Sequence, residues 1–247
     1  MTKILRGWRA GLPALVIAGL ACTAAVAADA DADKAADGDK PAVQETSDPL
    51  EPINRVTSSV NRALRALILN PAVELYKGFT PPPAQEAIGN TARNLTEPVT
   101  AVSSVFQGDN KNAEIAMERF FINLTEGLGG TRDVATEKGV VGRREDFGQV
   151  LGANGVGGGA HIVLPVLGPT NTRDAAGDVV NFLINPLYPA HSVDNAITYA
   201  NNKDEIEALS RNALDPYVAE REAYEQHRRY QIENGEVKQD GPTFGKD

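Results

Sequence analysis

Apolar residues recur at helical spacing through most of the chain. Intervals of three and four place such residues on one face of a helix. The first stripe runs Ile53, Val56, Val60, Leu64 and Leu67. A second stripe runs Ala113, Ala116, Met117, Phe120, Phe121 and Leu124. Taken singly, each stripe has a simple interpretation, which is that it packs into a hydrophobic core.

Prolines and glycines divide this helical pattern into short elements. We expect the first helix to start at Asp48 as its cap and to end at Asn70-Pro71, because proline lacks the amide hydrogen that a helix needs. The stretch from Ala84 to Phe106 is predicted as two helices joined at Glu97-Pro98. Asp215-Pro216 has the residue types that begin a helix.

One segment reads as extended rather than helical, from His161 to Val166. The sequence therefore predicts an all-α protein made of short amphipathic helices, with at most this minor extended segment.

The N-terminus has the features of an export signal. Lys3, Arg6 and Arg9 precede an uncharged run from Ala10 to Ala28 that ends in small residues. The Ala25-Val26-Ala27 sequence predicts a signal peptide over residues 1–27. The single cysteine, Cys22, follows Gly19-Leu20-Ala21 and offers the alternative of cleavage after residue 21 with lipidation of Cys22.

Composition sets the limits of the folded part. Residues 28–47 are acidic and poor in large apolar groups, so we expect a disordered linker, and residues 236–247 read as a disordered tail. The folded domain is predicted over 48–235. The formal net charge of −9 becomes −12 when the three basic residues of the signal are removed, and this excludes ordinary nucleic-acid binding.

No motif for chemistry stands out. The residue types of a dinucleotide-binding fingerprint occur at Gly155-Val156-Gly157-Gly158-Gly159-Ala160. Such a motif requires a helix after it, but the segment that follows here is extended. The three histidines are scattered without metal-ligand spacing, and no serine lies in a nucleophile-elbow setting. We therefore expect neither catalysis, nor a metal, nor a cofactor.

Several longer motifs together resemble one family. In order, they are DPLEPINR (48–55), GDNKNAEIAMERFFIN (108–123), GLGGTRDVA (127–135), EDFGQVLGANGVGGGAHIVLPVLGPTNTRDAAGD (145–178) and DPYVAEREAYEQ (215–226). The set resembles the MlaA/VacJ lipoproteins. This resemblance implies helices closed into a ring, or doughnut, around a central channel, lying in the inner leaflet of the bacterial outer membrane at its periplasmic face.

The resemblance also implies a function and partners. Members pass mislocalised phospholipid from the outer leaflet to a periplasmic carrier of the MlaC type, bind trimeric outer-membrane porins and so maintain lipid asymmetry. A passive conduit is the expected function, and the alternative is a porin-associated scaffold that conducts no lipid. The residues expected at the passage or its gate are Val60, Asn61, Gly155, Gly157, Gly158, Gly159, Leu164, Pro165, Gly168 and Pro169.

The sequence departs from the family pattern in two places inside the body. Arg65 stands in the first helix where the family favours an acid, and Gly159-Ala160-His161 replaces a glycine-proline-tyrosine sequence.

Overall fold

A computed structural model describes residues 47–235, and all structural statements below concern this part of the chain. Cys22, the signal segment, most of the acidic linker and the C-terminal tail lie outside it. The nine α-helices of the described part are α1 (Glu51–Leu64), α2 (Asn70–Phe79), α3 (Pro82–Gln107), α4 (Asn110–Thr125), α5 (Val134–Glu137), α6 (Phe147–Ala153), α7 (Thr172–Ile184), α8 (His191–Asn212) and α9 (Pro216–Ile232). A π-helical turn (Arg65–Leu69) follows α1, and a 3₁₀ turn (Tyr188–Ala190) precedes α8.

The all-α prediction is confirmed, and so is the minor extended segment. β1 (His161–Leu164) pairs antiparallel with β2 (Gly168–Asn171), with His161 opposite Asn171 and Leu164 opposite Gly168. This hairpin lies between α6 and α7 in the chain. Asp215 caps α9 as expected, since its carboxylate accepts hydrogen bonds from the amides of Tyr217 and Val218.

The helix end predicted at Asn70-Pro71 is wrong. The helix continues from α1 through the π turn into α2, and the Asn70 amide donates to the Arg65 carbonyl five residues earlier. A π turn widens the helix locally, which allows Pro71 to enter without breaking it. The predicted cap at Asp48 is also wrong, because α1 begins after Leu50 without a side-chain cap.

The predicted division at Glu97-Pro98 is wrong as well. Pro98 lies inside the single helix α3. Two carbonyls of the preceding turn receive side-chain donors instead, Leu95 from Asn185 at 2.6 Å and Arg93 from Thr96 at 2.7 Å. The hydrogen bond from Asn185 is a tertiary contact, and contacts of this kind offset the loss that proline causes in a helix.

Helix α3 lies at the centre of the packing. It contacts α4, α6, α8 and the 3₁₀ turn. Its buried positions include the small residues Ala101, Ser103 and Ser104. Small side chains let neighbouring helix backbones approach closely, so this helix positions the elements around it.

Candidate lipid-contact surface and hairpin site

Helix α1 turns its apolar stripe outward. Ile53, Val56 and Val60 are exposed, whereas Asn54 and Asn61 are buried. The core-packing interpretation of this stripe is therefore wrong. The helix is amphipathic as predicted, but its polar face is the one that packs against protein.

The same inversion extends over the described residues, in which buried polar and charged residues outnumber buried hydrophobic ones. Large apolar side chains lie outside, including Phe79 with 84% of its surface exposed and Leu183 with 74%. An extended exposed apolar surface indicates contact with a membrane or a protein partner. The other clearest members are Ile53, Val56, Leu67, Ile68, Leu75, Val105, Phe121, Leu128, Val166, Leu167 and Val179. We call this set the apolar girdle.

Buried asparagines explain how a polar interior is stable. Asn112 donates to the Arg143 carbonyl at 3.0 Å and accepts from the Arg143 amide at 2.9 Å. Asn123 accepts from the Ala135 amide at 2.9 Å. A buried amide side chain with its hydrogen bonds satisfied fixes the backbone that it contacts.

Two more asparagines hold the hairpin against α1. Asn54 donates to the His161 carbonyl at 3.0 Å and accepts from the Val163 amide at 2.9 Å. Asn61, two helical turns later, donates to the Leu164 carbonyl at 2.9 Å and accepts from the Val166 amide at 2.8 Å. Asn54 therefore binds β1 in the manner of a neighbouring strand, and Asn61 binds the end of β1 and the turn that follows it. The sequence-predicted residues Asn61, Leu164 and Pro165 do come together here.

The turn of the hairpin is strained. The Leu167 amide donates to the Pro165 carbonyl at 2.8 Å, which closes a γ-turn with Val166 at its centre. Val166 has φ of 69°, a region that β-branched residues rarely adopt. Val166 and Leu167 are exposed at the tip. The two hydrogen bonds of Asn61, which we call the Asn61 clamp, thus hold a strained apolar tip next to α1.

The glycine segment enters the hairpin from α6. Gly155 and Gly157 are exposed, but the Gly158 carbonyl accepts hydrogen bonds from the Arg173 amide at 3.2 Å and the Thr172 hydroxyl at 3.1 Å. Gly159 has φ of 73°, and a Cβ there would meet the Thr172 hydroxyl oxygen at 2.1 Å. The second half is therefore held against Thr172 and Arg173, while Gly155 and Gly157 face solvent.

The other sequence-predicted residues lie around this contact. Val60 is exposed and lines a shallow depression of about 450 Å³ with Arg55, Val56, Ser59 and Ala63. Gly168, with φ of 93°, and Pro169 lie on β2, across the hairpin from the Asn61 clamp. Arg65, the charge reversal noted in the sequence, forms an ion pair with Glu220 of α9.

A buried ionic cluster that sequence reasoning missed joins α6, α7 and α9. Arg228 donates to both Asp146 oxygens at 2.6 Å and to Asp174 at 3.1 Å, and Tyr224 donates to Asp174 at 2.5 Å. Burial alone would raise the pKa of Asp146, but Arg228 lowers it to about 2. Arg173 also pairs with Asp174 at 2.9 Å.

Close glycine packing lies beside this cluster. A Cβ on Gly177 would meet the Gly148 backbone nitrogen at 2.4 Å, so α6 and α7 touch through bare backbone. The sequence signal for Arg228 was weak, because it lies on a helix rich in charges, with no motif to set it apart. Only the fold brings it to the two aspartates.

His161 is fully buried at the base of the hairpin. Its ring packs edge-on to those of Tyr217 and Tyr224, with centroids 6.3 and 6.1 Å away. His161 is where the sequence departs from the family pattern, and its imidazole packs inside the protein. Asp48 of the same region accepts from Asn54 at 2.9 Å and from Tyr217; although burial raises the pKa of Asp48, these hydrogen bonds hold it below its ordinary value.

The described residues hold neither a metal-ligand cluster nor a membrane-spanning helix. Within residues 47–235, no three histidine, cysteine or acidic side chains are grouped as a metal site would require. In the same part of the chain, no helix has the length and hydropathy to span a bilayer. The fold and surface define a mostly helical protein that buries many polar side chains and exposes many large apolar ones.

Comparison with known proteins places this class in a family. The family model described as MlaA lipoprotein matches residues 46–231. The intermembrane phospholipid transport system lipoprotein MlaA of Haemophilus influenzae is 31% identical over 210 residues, covering 79% of this chain and 83% of that protein. The protein of the same name from Escherichia coli K12 is 33% identical over 212 residues, covering 81% of this chain and 84% of its own length.

A solved structure agrees with these sequence relatives. It comes from work on the structural basis for maintenance of bacterial outer membrane lipid asymmetry, and it matches with a TM-score of 0.69 and 33% identity. The match covers 75% of this chain and 99% of that one. The chain belongs to the MlaA lipoprotein family.

Proposed function

We propose that this protein is a passive conduit that moves phospholipid out of the bacterial outer membrane toward a periplasmic carrier. The observation that supports this most strongly is the inverted polarity of the described residues. An apolar girdle suits a protein seated in the hydrocarbon of the inner leaflet, and a polar interior suits the passage of a headgroup.

The energy of lipid transfer supports a shielded route. Exposing one methylene group to water costs about 0.8 kcal/mol, so a lipid with ~30 methylenes faces a barrier on the order of 20 kcal/mol. A protein that uses no chemical energy must keep the acyl chains against an apolar surface while the headgroup stays hydrated. Helices with one apolar and one polar face supply both surfaces.

The hairpin is the proposed gate. Its tip carries exposed Val166 and Leu167, and a single side chain, Asn61, fastens that tip to α1. Two hydrogen bonds of about 1 kcal/mol each can be broken and remade at ordinary temperature. The solvent-exposed glycines Gly155 and Gly157 supply backbone freedom for the movement.

The partners follow from the same proposal. A trimeric outer-membrane porin would cover part of the apolar girdle, and a carrier of the MlaC type would receive the lipid at the periplasmic side. Lipidation at Cys22 would add an anchor to the inner leaflet, although two membrane signals are not required when the girdle itself is embedded.

The test is deletion of the gene followed by measurement of phospholipid in the outer leaflet. We expect outer-leaflet phospholipid to rise in the deletion strain and to return to normal with the wild-type gene. A scaffold that conducts no lipid would leave lipid asymmetry unchanged in the deletion strain, and this result would refute the conduit. Intact mass of the mature protein decides separately between acylated Cys22 and cleavage after Ala27.

A further inference from the structure

An apolar cleft of about 340 Å³ lies between α2, α3 and α8, away from the hairpin. Leu69 and Val73 form one wall, Ile88 of α3 contributes from the side, and Val193 and Ile197 form the other wall. Clefts that are mostly apolar with a few polar groups are typical of binding sites for small molecules with hydrocarbon parts.

Polar contacts between α2 and α8 fix the distance between the two walls. The Tyr199 hydroxyl donates to Asn70 at 2.7 Å, and Lys203 pairs with Glu74. Lys77 donates to the Ala200 carbonyl at 2.5 Å. These contacts join α2 to α8, so the cleft is formed before any molecule enters it.

The cleft also carries polar features that point to a particular occupant. Ala200 lines the cleft, and Lys77 is bonded to its carbonyl, so an ammonium group lies next to the apolar lining. Among residues 47–235, Lys77 makes no ion pair. Tyr76 lines the cleft too, and its hydroxyl is buried without a hydrogen-bond partner in the described part of the chain. A buried hydroxyl of this kind calls for an acceptor.

We propose that this cleft binds one acyl chain of a glycerophospholipid, with the anionic phosphate at Lys77 and an ester carbonyl near Tyr76. This inference rests on the proposed function and adds a defined chain-binding site to it. Leu75 and Phe79 of the apolar girdle are exposed on α2, the helix that also carries Tyr76 and Lys77. A lipid therefore reaches the cleft from the embedded surface without crossing water.

The test uses the full-length protein reconstituted in vesicles of phosphatidylethanolamine that contains a diazirine near the end of one acyl chain. After irradiation, labelled peptides are mapped by mass spectrometry. We expect label in residues 69–76 and 192–200. The proposal is overturned when label is confined to other segments, as it would be when another protein segment or a second copy of the chain covers the cleft.

A variant that fills the cleft gives the quantitative measure. Ala196 lines the cleft and is exposed, so Ala196→Phe narrows it without disturbing buried packing. Labelling should fall about tenfold, a change that corresponds to ~1.4 kcal/mol and to the displacement of about two methylenes. Ala66→Phe is the matched control, because Ala66 is exposed like Ala196 but does not line the cleft.

Two further variants test the polar features. Lys77→Gln should lower labelling by an anionic phosphatidylglycerol probe more than by the zwitterionic one, and Tyr76→Phe should lower both. Wild-type labelling in Ala196→Phe, with helical content preserved by circular dichroism, contradicts the cleft proposal. Failure of the proposed function would be seen separately. Outer-leaflet phospholipid would then be unchanged in the deletion strain, whatever the labelling pattern.

Discussion

Removing the Asn61 side-chain amide should release the tip of the hairpin while the rest of the fold stays intact. Asn61→Ala deletes one donor and one acceptor, those that bind Leu164 and Val166. Each such hydrogen bond contributes about 0.5–1.5 kcal/mol net. Because Val166 is 79% exposed, water can replace the lost partner at its amide, so the lower half of this range applies. The local opening free energy should fall by ~1–2 kcal/mol, which is about 5–30-fold in population.

Asn54→Ala is the informative comparison. Asn54 binds backbone groups of His161 and Val163, and both residues are buried. Truncation here leaves a buried carbonyl and amide without partners, at a cost of about 1–3 kcal/mol each. This variant should therefore lower the thermal midpoint of the whole protein more than Asn61→Ala does, because Asn61→Ala costs the native state only about 1–2 kcal/mol.

Amide hydrogen exchange measured by mass spectrometry distinguishes the two effects. In Asn61→Ala, peptides covering 164–168 should exchange about 5–30-fold faster, with α3 and α4 unaffected. Ser59→Ala is the control, since Ser59 lies on the same helix, is exposed and bonds only to neighbours on it. Exchange at 164–168 that stays at the wild-type rate in Asn61→Ala would refute the clamp as the element that holds the tip.

Three further outcomes follow from the structure. Val166→Gly should slow exchange at the hairpin tip, because it removes a left-handed strain of about 1–2 kcal/mol, and faster exchange would contradict the strained turn. Arg228 lowers the pKa of Asp146 from 3.8 to about 2, which stabilises the folded state by roughly 2 kcal/mol above pH 4. This stabilisation should be lost as the pH falls from about 4 to about 2. In chemical unfolding at several pH values, Arg228→Met should abolish this pH dependence. Gly177→Ala should lower the unfolding midpoint because its Cβ would meet backbone, whereas Gly78→Ala, with open space around it in α2, should raise it slightly; equal effects would show that the helix contact tolerates a methyl group.

The sequence was enough to predict elements whose signals are local. Asp215 before a proline marked the start of α9, and the His161–Val166 run marked the extended segment, because capping and β-branched patterning act on neighbouring residues. Pro71 and Pro98 gave wrong boundaries. Their cost is met by a π turn in one case and by a distant side chain, Asn185, in the other, and neither is written in the local pattern.

The candidate site was predicted in part. The resemblance singled out Asn61 and the Leu164-Pro165 segment, and the structure joins them through the clamp. Arg228 was missed, since its two aspartate partners, Asp146 and Asp174, lie more than fifty residues away in the chain and only packing brings them together. Long-range ionic partners leave no spacing in a single sequence.

The α1 stripe faces outward although core packing was the simple interpretation, whereas Ala113 and Ala116 of the second stripe are buried as that interpretation predicts. Periodicity records that a helix has two unlike faces, but it does not record which face meets protein. In water the apolar face turns inward. On α1, Asn54 and Asn61 satisfy backbone groups of the hairpin, so the polar face can be buried with little loss, and the apolar face is left to meet an apolar surrounding. The same asparagine amides that stabilise the interior therefore make the girdle available to lipid, and the surface and the clamp are two consequences of one arrangement.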